Sequence, residues 1–266
     1  MPPSQRSAHR CWDSSFLSVF LETVGVDLDR GHVTRLVVLQ PSFLPWLGHL
    51  DQYDWADVFV LYDDTQYDKN GWRNRNRILT PNGVNWITVP VKTKGLNKPL
   101  NTEVPINNQS NWQKKMIASL RQSYSKTPYF GDYFKGLEEI LSRPYELLVD
   151  LNIDTLRWLT ESLGMPWKVV RSSELDVPGR KTERLVAICE KFKATDYLTG
   201  DAARDYLDEQ QFENIGVKVH WHGYEHPVYD QGNDEFVPYL SVVDLLFREG
   251  PRSLEILSRS KMRSIG

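Results

Sequence analysis

Residues 35–64, RLVVLQPSFLPWLGHLDQYDWADVFVLYDD, constrain the fold more than any other stretch of the chain. Leu36, Val37, Val38 and Leu39 form a continuous apolar run, the pattern of a strand buried on both faces. The run stops at Gln40-Pro41. Pro41 and Pro45 each fix φ and remove a backbone donor, so residues 40–47 cannot be a helix interior. A short helix is expected from Gly48-His49 to about Tyr53, then a second apolar strand, Val58 to Leu61, closed by Asp63-Asp64. The spacing between the strands suits a parallel crossover, which needs about a dozen residues or more. Ligands of open parallel sheets bind outside the carboxyl ends of the strands. Gln40, Asp63 and Asp64 all fall at such ends.

The rest of the chain continues the alternation. Trp86 to Val91, Trp167 to Val170, Asp196 to Leu198 and Val217 to Trp221 read as strands. Trp112 to Tyr124, Tyr145 to Leu163, Thr182 to Lys193, Ala202 to Asn214 and a last segment from Ser241 to Phe247 read as helices. Strands alternating with helices predict an α/β fold: a Rossmann-like, mainly parallel sheet flanked by helices. Residues 93–110 are rich in Asn, Pro and Lys without periodicity, and with the helices after them they read as a helical and loop insertion around 93–165. Residues 1–32 show no clear period and read as a poorly ordered N-terminal extension. Residues 33–260 then form a single domain.

With 32 basic and 35 acidic residues the net charge is −3, which provides no global field for nucleic acid or an anionic membrane. The two cysteines, Cys11 and Cys189, belong to no metal-ligand pattern, so neither a structural zinc nor a disulfide framework is expected. No apolar run approaches the length of a membrane span. Phe16 to Phe20 is too short an apolar run for a signal peptide, and Glu22 interrupts it. A cytoplasmic location is the expectation.

Several segments carry candidate chemistry. Asp63 and Asp64, with Gln40 and Gln66 nearby in sequence, could hold ligand hydroxyls or Mg²⁺, although solvated turn aspartates are common. Arg73, Arg75 and Arg77 alternate with Asn74 and Asn76. On an extended segment the three guanidinium groups would point to one side and could grip a phosphate; charge on an edge strand is the plainer account. Thr199-Gly200 is a second strand-to-helix turn, where Gly200 would admit a ligand and Arg204 would complete an anion site or pair with Asp208. His220 and His222 share one side of a strand, as two metal ligands would, with His226 following; solvated histidines are the more ordinary reading, and no metal is assigned. The tail Leu257 to Arg263 reads as basic.

Gln40 to Gly48, Ala56 to Val60, Asp63 to Tyr67, Trp72 to Arg77, Tyr197 to Gly200, Arg204 to Leu207 and Ser241 to Phe247 together resemble the WbqC-like family, over about Leu36 to Leu257. The family takes its name from a protein of bacterial surface-polysaccharide gene clusters, and the resemblance implies an accessory enzyme of sugar or secondary-metabolite biosynthesis. Trp46-Leu47-Gly48-His49 also resembles the HxGH signature of nucleotidyltransferases, with Trp in place of the first His. On that likeness His49 would meet a phosphate at a helix amino terminus. The combined expectation is a biosynthetic transferase acting on a nucleotide-activated or phosphorylated small substrate, an amino sugar or amino-acid derivative. Asp63, Asp64 and His49 would be its catalytic groups, and Gln40, Gln66, Arg73, Arg75, Arg77, Gly200 and Arg204 its substrate-binding groups. No motif implies a cofactor beyond the Mg²⁺ that Asp63-Asp64 could take. The alternative is a non-catalytic protein that binds or escorts such a small molecule.

Overall fold

The computed structural model describes residues 33–259. The expectation for residues 1–32 and most of the basic tail lie outside the described residues. Five parallel strands form the central sheet: β1 (Arg35–Leu39), β2 (Val58–Leu61), β5 (Val169–Arg171), β6 (Asp196–Thr199) and β7 (Lys218–Trp221). Their spatial order is β5-β2-β1-β6-β7. Leu36 sits opposite Val58 on one side and Tyr197 on the other. The unbroken apolar runs follow from this position. Leu36, Val38, Val58 and Val60 enter one core with Val170, Ile188 and Phe192, while Val37, Phe59, Leu61 and Leu198 enter the other. Alternate residues of a strand point to opposite faces, so a strand covered on both sides needs apolar residues throughout.

Helix α1 (Leu47–Trp55) crosses from β1 to β2. Lys168 terminates it, donating from Nζ to the carbonyls of Asp54 and Ala56. Burial pulls the Lys168 pKa down to about 8.

Between the neighbouring strands β2 and β5 the chain makes a long excursion, residues 62–168. It begins with an antiparallel hairpin, β3 (Arg75–Thr80) and β4 (Gly83–Thr88), separate from the main sheet. Helices α2 (Trp112–Tyr124), α3 (Phe130–Leu141) and α4 (Leu148–Ser162) follow. β4 starts earlier than the apolar run Trp86 to Val91 suggests. Gly83, at φ +98, turns the chain straight back onto β3, and Pro90 has no N–H to extend the ladder. α3 has no counterpart among the expected elements. It lies so close to α4 that a Cβ on Gly136 would come within 2.9 Å of the Trp158 indole nitrogen.

After β5 come α5 (Lys181–Lys191), α6 (Glu209–Glu213), α7 (Val242–Glu249) and α8 (Ser253–Leu257). The single helix expected over Ala202 to Asn214 is instead a 3-10 turn, Asp201–Ala203, followed by the short α6. Two capping contacts divide it. The Asp208 carboxylate accepts from Gln210 N at 3.2 Å, and Asp208 N donates to Thr182 Oγ1 at 3.2 Å. A strong Asx cap starts a helix where it stands and so ends whatever precedes it.

Candidate functional site

The strand order reverses beside β1: β2 and β5 lie on one side of it, β6 and β7 on the other. In open parallel sheets the crevice outside the carboxyl ends at such a reversal is where ligands bind. A cleft of about 410 Å³ opens there, between Leu39-Gln40 after β1 and Thr199-Gly200 after β6. Trp46, His49 and Gln52 of the α1 segment form one wall; Tyr62, Lys181 and Leu185 form part of the other. Trp72 and Arg73 reach it from the start of the excursion.

The loop at residues 40–46 is held in place from several directions. Leu44 sits at φ +40, a strained region for a non-glycine residue. Asn76 Nδ2 donates to the carbonyls of Phe43 (3.2 Å) and Leu44 (2.7 Å), and Ser241 Oγ donates to Leu44 O at 2.7 Å. Ser42 Oγ and Phe43 N both donate to Trp72 O. The asparagines of the Arg-Asn alternation are therefore structural. Asn76 pins this loop, and Asn74 donates to Val89 O across the hairpin at 2.8 Å.

The three arginines do not line the cleft together: Arg73 precedes β3, and of the three it alone is in the lining. Arg73 lines the cleft, with Nη1 donating to Pro41 O at 2.8 Å. Burial pulls its pKa below the ordinary arginine value, although it remains a cation. Arg75 lies 4.5 Å over the Trp86 ring, outside the cleft lining. Arg77, half-buried on β3, is also outside that lining.

Trp46 and Gly48 are coupled. The Trp46 ring folds back over the first turn of α1, and a Cβ on Gly48 would lie 2.2 Å from it. The same ring meets Tyr224 edge-on at 5.1 Å. His49, 6 % exposed, packs on Phe59 at 5.6 Å and makes no hydrogen bond to a described residue. Burial first, then the charges of Arg73 and His222, push its pKa down to about 3, so the imidazole is neutral at pH 7.

Asp63 and Asp64 do not share the cleft with Gln40 and His49. Asp63 is fully buried. Its Oδ2 accepts from Arg171 Nε (2.6 Å) and Ser173 Oγ (2.9 Å), and its Oδ1 from Ser172 Oγ (3.2 Å) and Ser173 N (2.9 Å). Asp64 pairs with Arg184 and accepts from Ser172 Oγ. The two carboxylates clamp the end of β2 to the turn after β5. Asp63, buried and bonded at both oxygens, acts as a structural carboxylate, and Asp64 is tied to Arg184 outside the cleft lining. Gln66 is exposed and bridges to Leu100 away from the cleft. Gly200 is at the cleft with an ordinary φ of −76, so its backbone does not require glycine. Arg204 is exposed, pairs with Asp201 at 3.0 Å and stacks on Trp221 at 4.2 Å. Arg204 is not among the residues lining the cleft.

His220 and His222 both turn towards α1, but each nitrogen facing a carboxylate has its own partner: Asp196 for His220 at 2.6 Å and Asp51 for His222 at 2.7 Å. Among the described residues no group of three or more His, Cys, Asp or Glu could hold a metal ion. No helix among them is long and apolar enough to cross a membrane. Lys181 and Gln52 were missed from sequence. The signal for Lys181 is Gly179 two residues before it, which begins the turn that places Lys181 at the amino end of α5. Gln52 is recoverable only from helical spacing to Gly48, whose carbonyl it bonds at 3.2 Å.

A model of the WbqC-like protein family matches residues 40–256. The chain belongs to that family. It is 35 % identical over 225 residues to the uncharacterized protein Rv1507c of Mycobacterium tuberculosis (strain ATCC 25618 / H37Rv), an alignment covering 84 % of this chain and 97 % of that protein. No solved structure matches. The family match covers the cleft residues from Gln40 onwards.

Proposed function

We propose that this WbqC-like protein is a cytoplasmic biosynthetic transferase. Its small substrate is phosphorylated or nucleotide-activated, an amino sugar or amino-acid derivative used in polysaccharide or secondary-metabolite synthesis. One observation carries the reading. In a chain of net charge −3, the cleft at the sheet's reversal point is lined by Arg73 and Lys181, and by no Asp or Glu among the described residues. A cationic, partly dehydrated cleft selects an anion, and Arg73 can meet a phosphoryl group through its planar fork. Trp46, Trp72 and Tyr62 offer ring faces to a sugar or base. His49 is the one imidazole of the lining. An anion beside it would oppose the desolvation that keeps it neutral, bringing it into range for proton transfer.

The low pKa of His49, with no carboxylate beside it, also favours a second reading: a non-catalytic protein that escorts the same ligand. Native mass spectrometry of protein purified from its own host tests for the bound anion. Incubation with nucleotide-sugar donors and amine acceptors, followed by mass spectrometry of products, separates turnover from escort. Arg73→Lys should weaken binding of any phosphorylated ligand about tenfold, since a point charge replaces the fork. Unchanged affinity, measured by calorimetry, would refute the assignment of the cleft.

A further inference from the structure

The cleft walls contain polar atoms that the protein leaves unpaired, and these describe the ligand more narrowly than charge does. Gln40 Oε1, Gln52 Oε1 and Arg73 Nε are buried without a hydrogen-bond partner. Gln52 is only 5 % exposed, and its Nε2 is committed to the Gly48 carbonyl, which leaves Oε1 as the free end. Arg73 Nη1 is likewise committed to Pro41 O. Leaving one such group unmet costs about 1–3 kcal/mol, and native interiors seldom tolerate it.

The two kinds of group make opposite demands. Gln40 and Gln52 each present an acceptor and need an O–H or N–H from the ligand. Arg73 presents a donor with a positive charge and needs an anionic oxygen. An ammonium group would satisfy the amides but would be repelled by Arg73, whereas neutral hydroxyls satisfy them without that cost. A ligand that carries an anion and at least two neutral donors within one small cleft meets these demands, and the hydroxyls of a sugar are such donors. Trp46 and Trp72 add aromatic faces on which the C–H face of a sugar ring packs. His49 sits in the first turn of α1, a nine-residue helix that no side chain caps, so the helix dipole also favours an anion beside it.

We infer that the ligand is a phosphorylated sugar. Its phosphoryl group sits on Arg73 and His49 at the amino end of α1, and its ring hydroxyls donate to Gln40 and Gln52. This rests on the anion reading of the cleft proposed above and narrows it. The site of about 410 Å³ is at the small end of ligand sites, which run roughly 300–1,000 Å³.

The test is calorimetry on the full chain with inorganic phosphate, glucose 1-phosphate, galactose 1-phosphate, glucosamine 1-phosphate and ribose 5-phosphate. At least one sugar phosphate should bind about tenfold or more tighter than inorganic phosphate, the increment of two or so well-made hydrogen bonds. Gln40→Met and Gln52→Met should each reduce that preference about fivefold while leaving the affinity for inorganic phosphate as in wild type, and Gln40→Met, which removes an unmet buried acceptor, should not lower the melting temperature. Gln40→Met removes no bond that the folded protein makes, so it serves if Gln52→Met disturbs α1. If phosphate and all four sugar phosphates bind within twofold of one another, with Arg73→Met abolishing all of it, the sugar inference falls and the anion site stands. The sugar inference falls in the same way if both glutamine variants keep the full preference. If no phosphate binds wild type at all, both fall.

Discussion

His49 gives a quantitative test of the cleft's interior. Its imidazole titrates near 6.5 when unfolded and at about 3 when folded, chiefly because burial disfavours the charged form. The folded state therefore binds fewer protons than the unfolded state across that window. His49 contributes nothing to the pH dependence of stability above pH 6.5, and an increasing penalty as the pH falls towards 3. Integrating between the two pKa values, moving from pH 7.5 to pH 5 costs about 2 kcal/mol through this one residue, roughly a thirtyfold change in the folding equilibrium. His49→Gln removes the titration, and no hydrogen bond to a described residue is lost with the ring. The assay is urea unfolding of both proteins at both pH values. The wild type should lose about 2 kcal/mol more than the variant between the two conditions. Equal losses would show that His49 is hydrated and titrates normally, and the closed wall beneath Trp46 would be wrong. Bound phosphate should reverse the sign of the residue's preference, so wild-type affinity for inorganic phosphate should rise as the pH falls, and His49→Gln should flatten that rise.

Two other perturbations separate structural from functional groups. Asp63→Asn should lower stability by about 1–3 kcal/mol, because Arg171, Ser172 and Ser173 lose a charged acceptor in a buried site; a normal melting temperature with lost ligand binding would return Asp63 to the functional site. Gly48→Ala should cost about 1–3 kcal/mol and shift the tryptophan emission, since the new methyl would drive the Trp46 ring off α1; an unchanged melting temperature and spectrum would show that the ring does not rest there.

The parallel sheet was legible because strands buried on both faces leave unbroken apolar runs, and Leu36 to Leu39 and Val58 to Leu61 are such runs. β6, DYLT, was legible as a strand although it is not an unbroken apolar run, and it pairs with β1 with carboxyl ends together. α3 was not, although Phe134, Leu137 and Leu141 keep helical spacing. Gly131 and Gly136 dilute the pattern, and Gly136 is present for the approach of Trp158 rather than for helix propensity. The break at Arg204 to Asp208 is also hidden, because it depends on Thr182, which comes from a different helix. Site residues divide in the same way. Gln40, His49, Arg73 and Gly200 line the cleft because they flank the first strand, the crossover helix or the sixth strand's end, or are tied to that loop. Asp63 and Asp64 also follow a strand, but their partners Arg171, Ser172, Ser173 and Arg184 lie more than a hundred residues away in sequence. Strand position places a carboxylate; it does not reveal the guanidinium that neutralises it.

The composition of the cleft also explains why the excursion between β2 and β5 begins as it does. A switch-point loop in an open sheet is ordinarily shaped by its own strand and helix, but residues 40–46 cannot hold themselves. Leu44 lies at φ +40, which costs of the order of 1–3 kcal/mol, and the two prolines remove donors the loop could have used. The missing hydrogen bonds are supplied from outside. Asn76 of β3 covers two loop carbonyls, Ser241 at the start of α7 covers one of them again, and Trp72 O receives Ser42 and Phe43. Together these bonds exceed the strain, at about 0.5–1.5 kcal/mol net each. The same run that pins the loop delivers Arg73 into the cleft, held by Pro41 O. Anchoring and anion recognition thus depend on one short segment, residues 72–76. A ligand meeting Arg73 finds a loop whose conformation is already fixed, so little ordering entropy remains to be lost on binding. The Arg-Asn alternation, which in sequence looks like a strip of charge, combines two functions in adjacent residues: the asparagines build the wall, and the first arginine faces what enters.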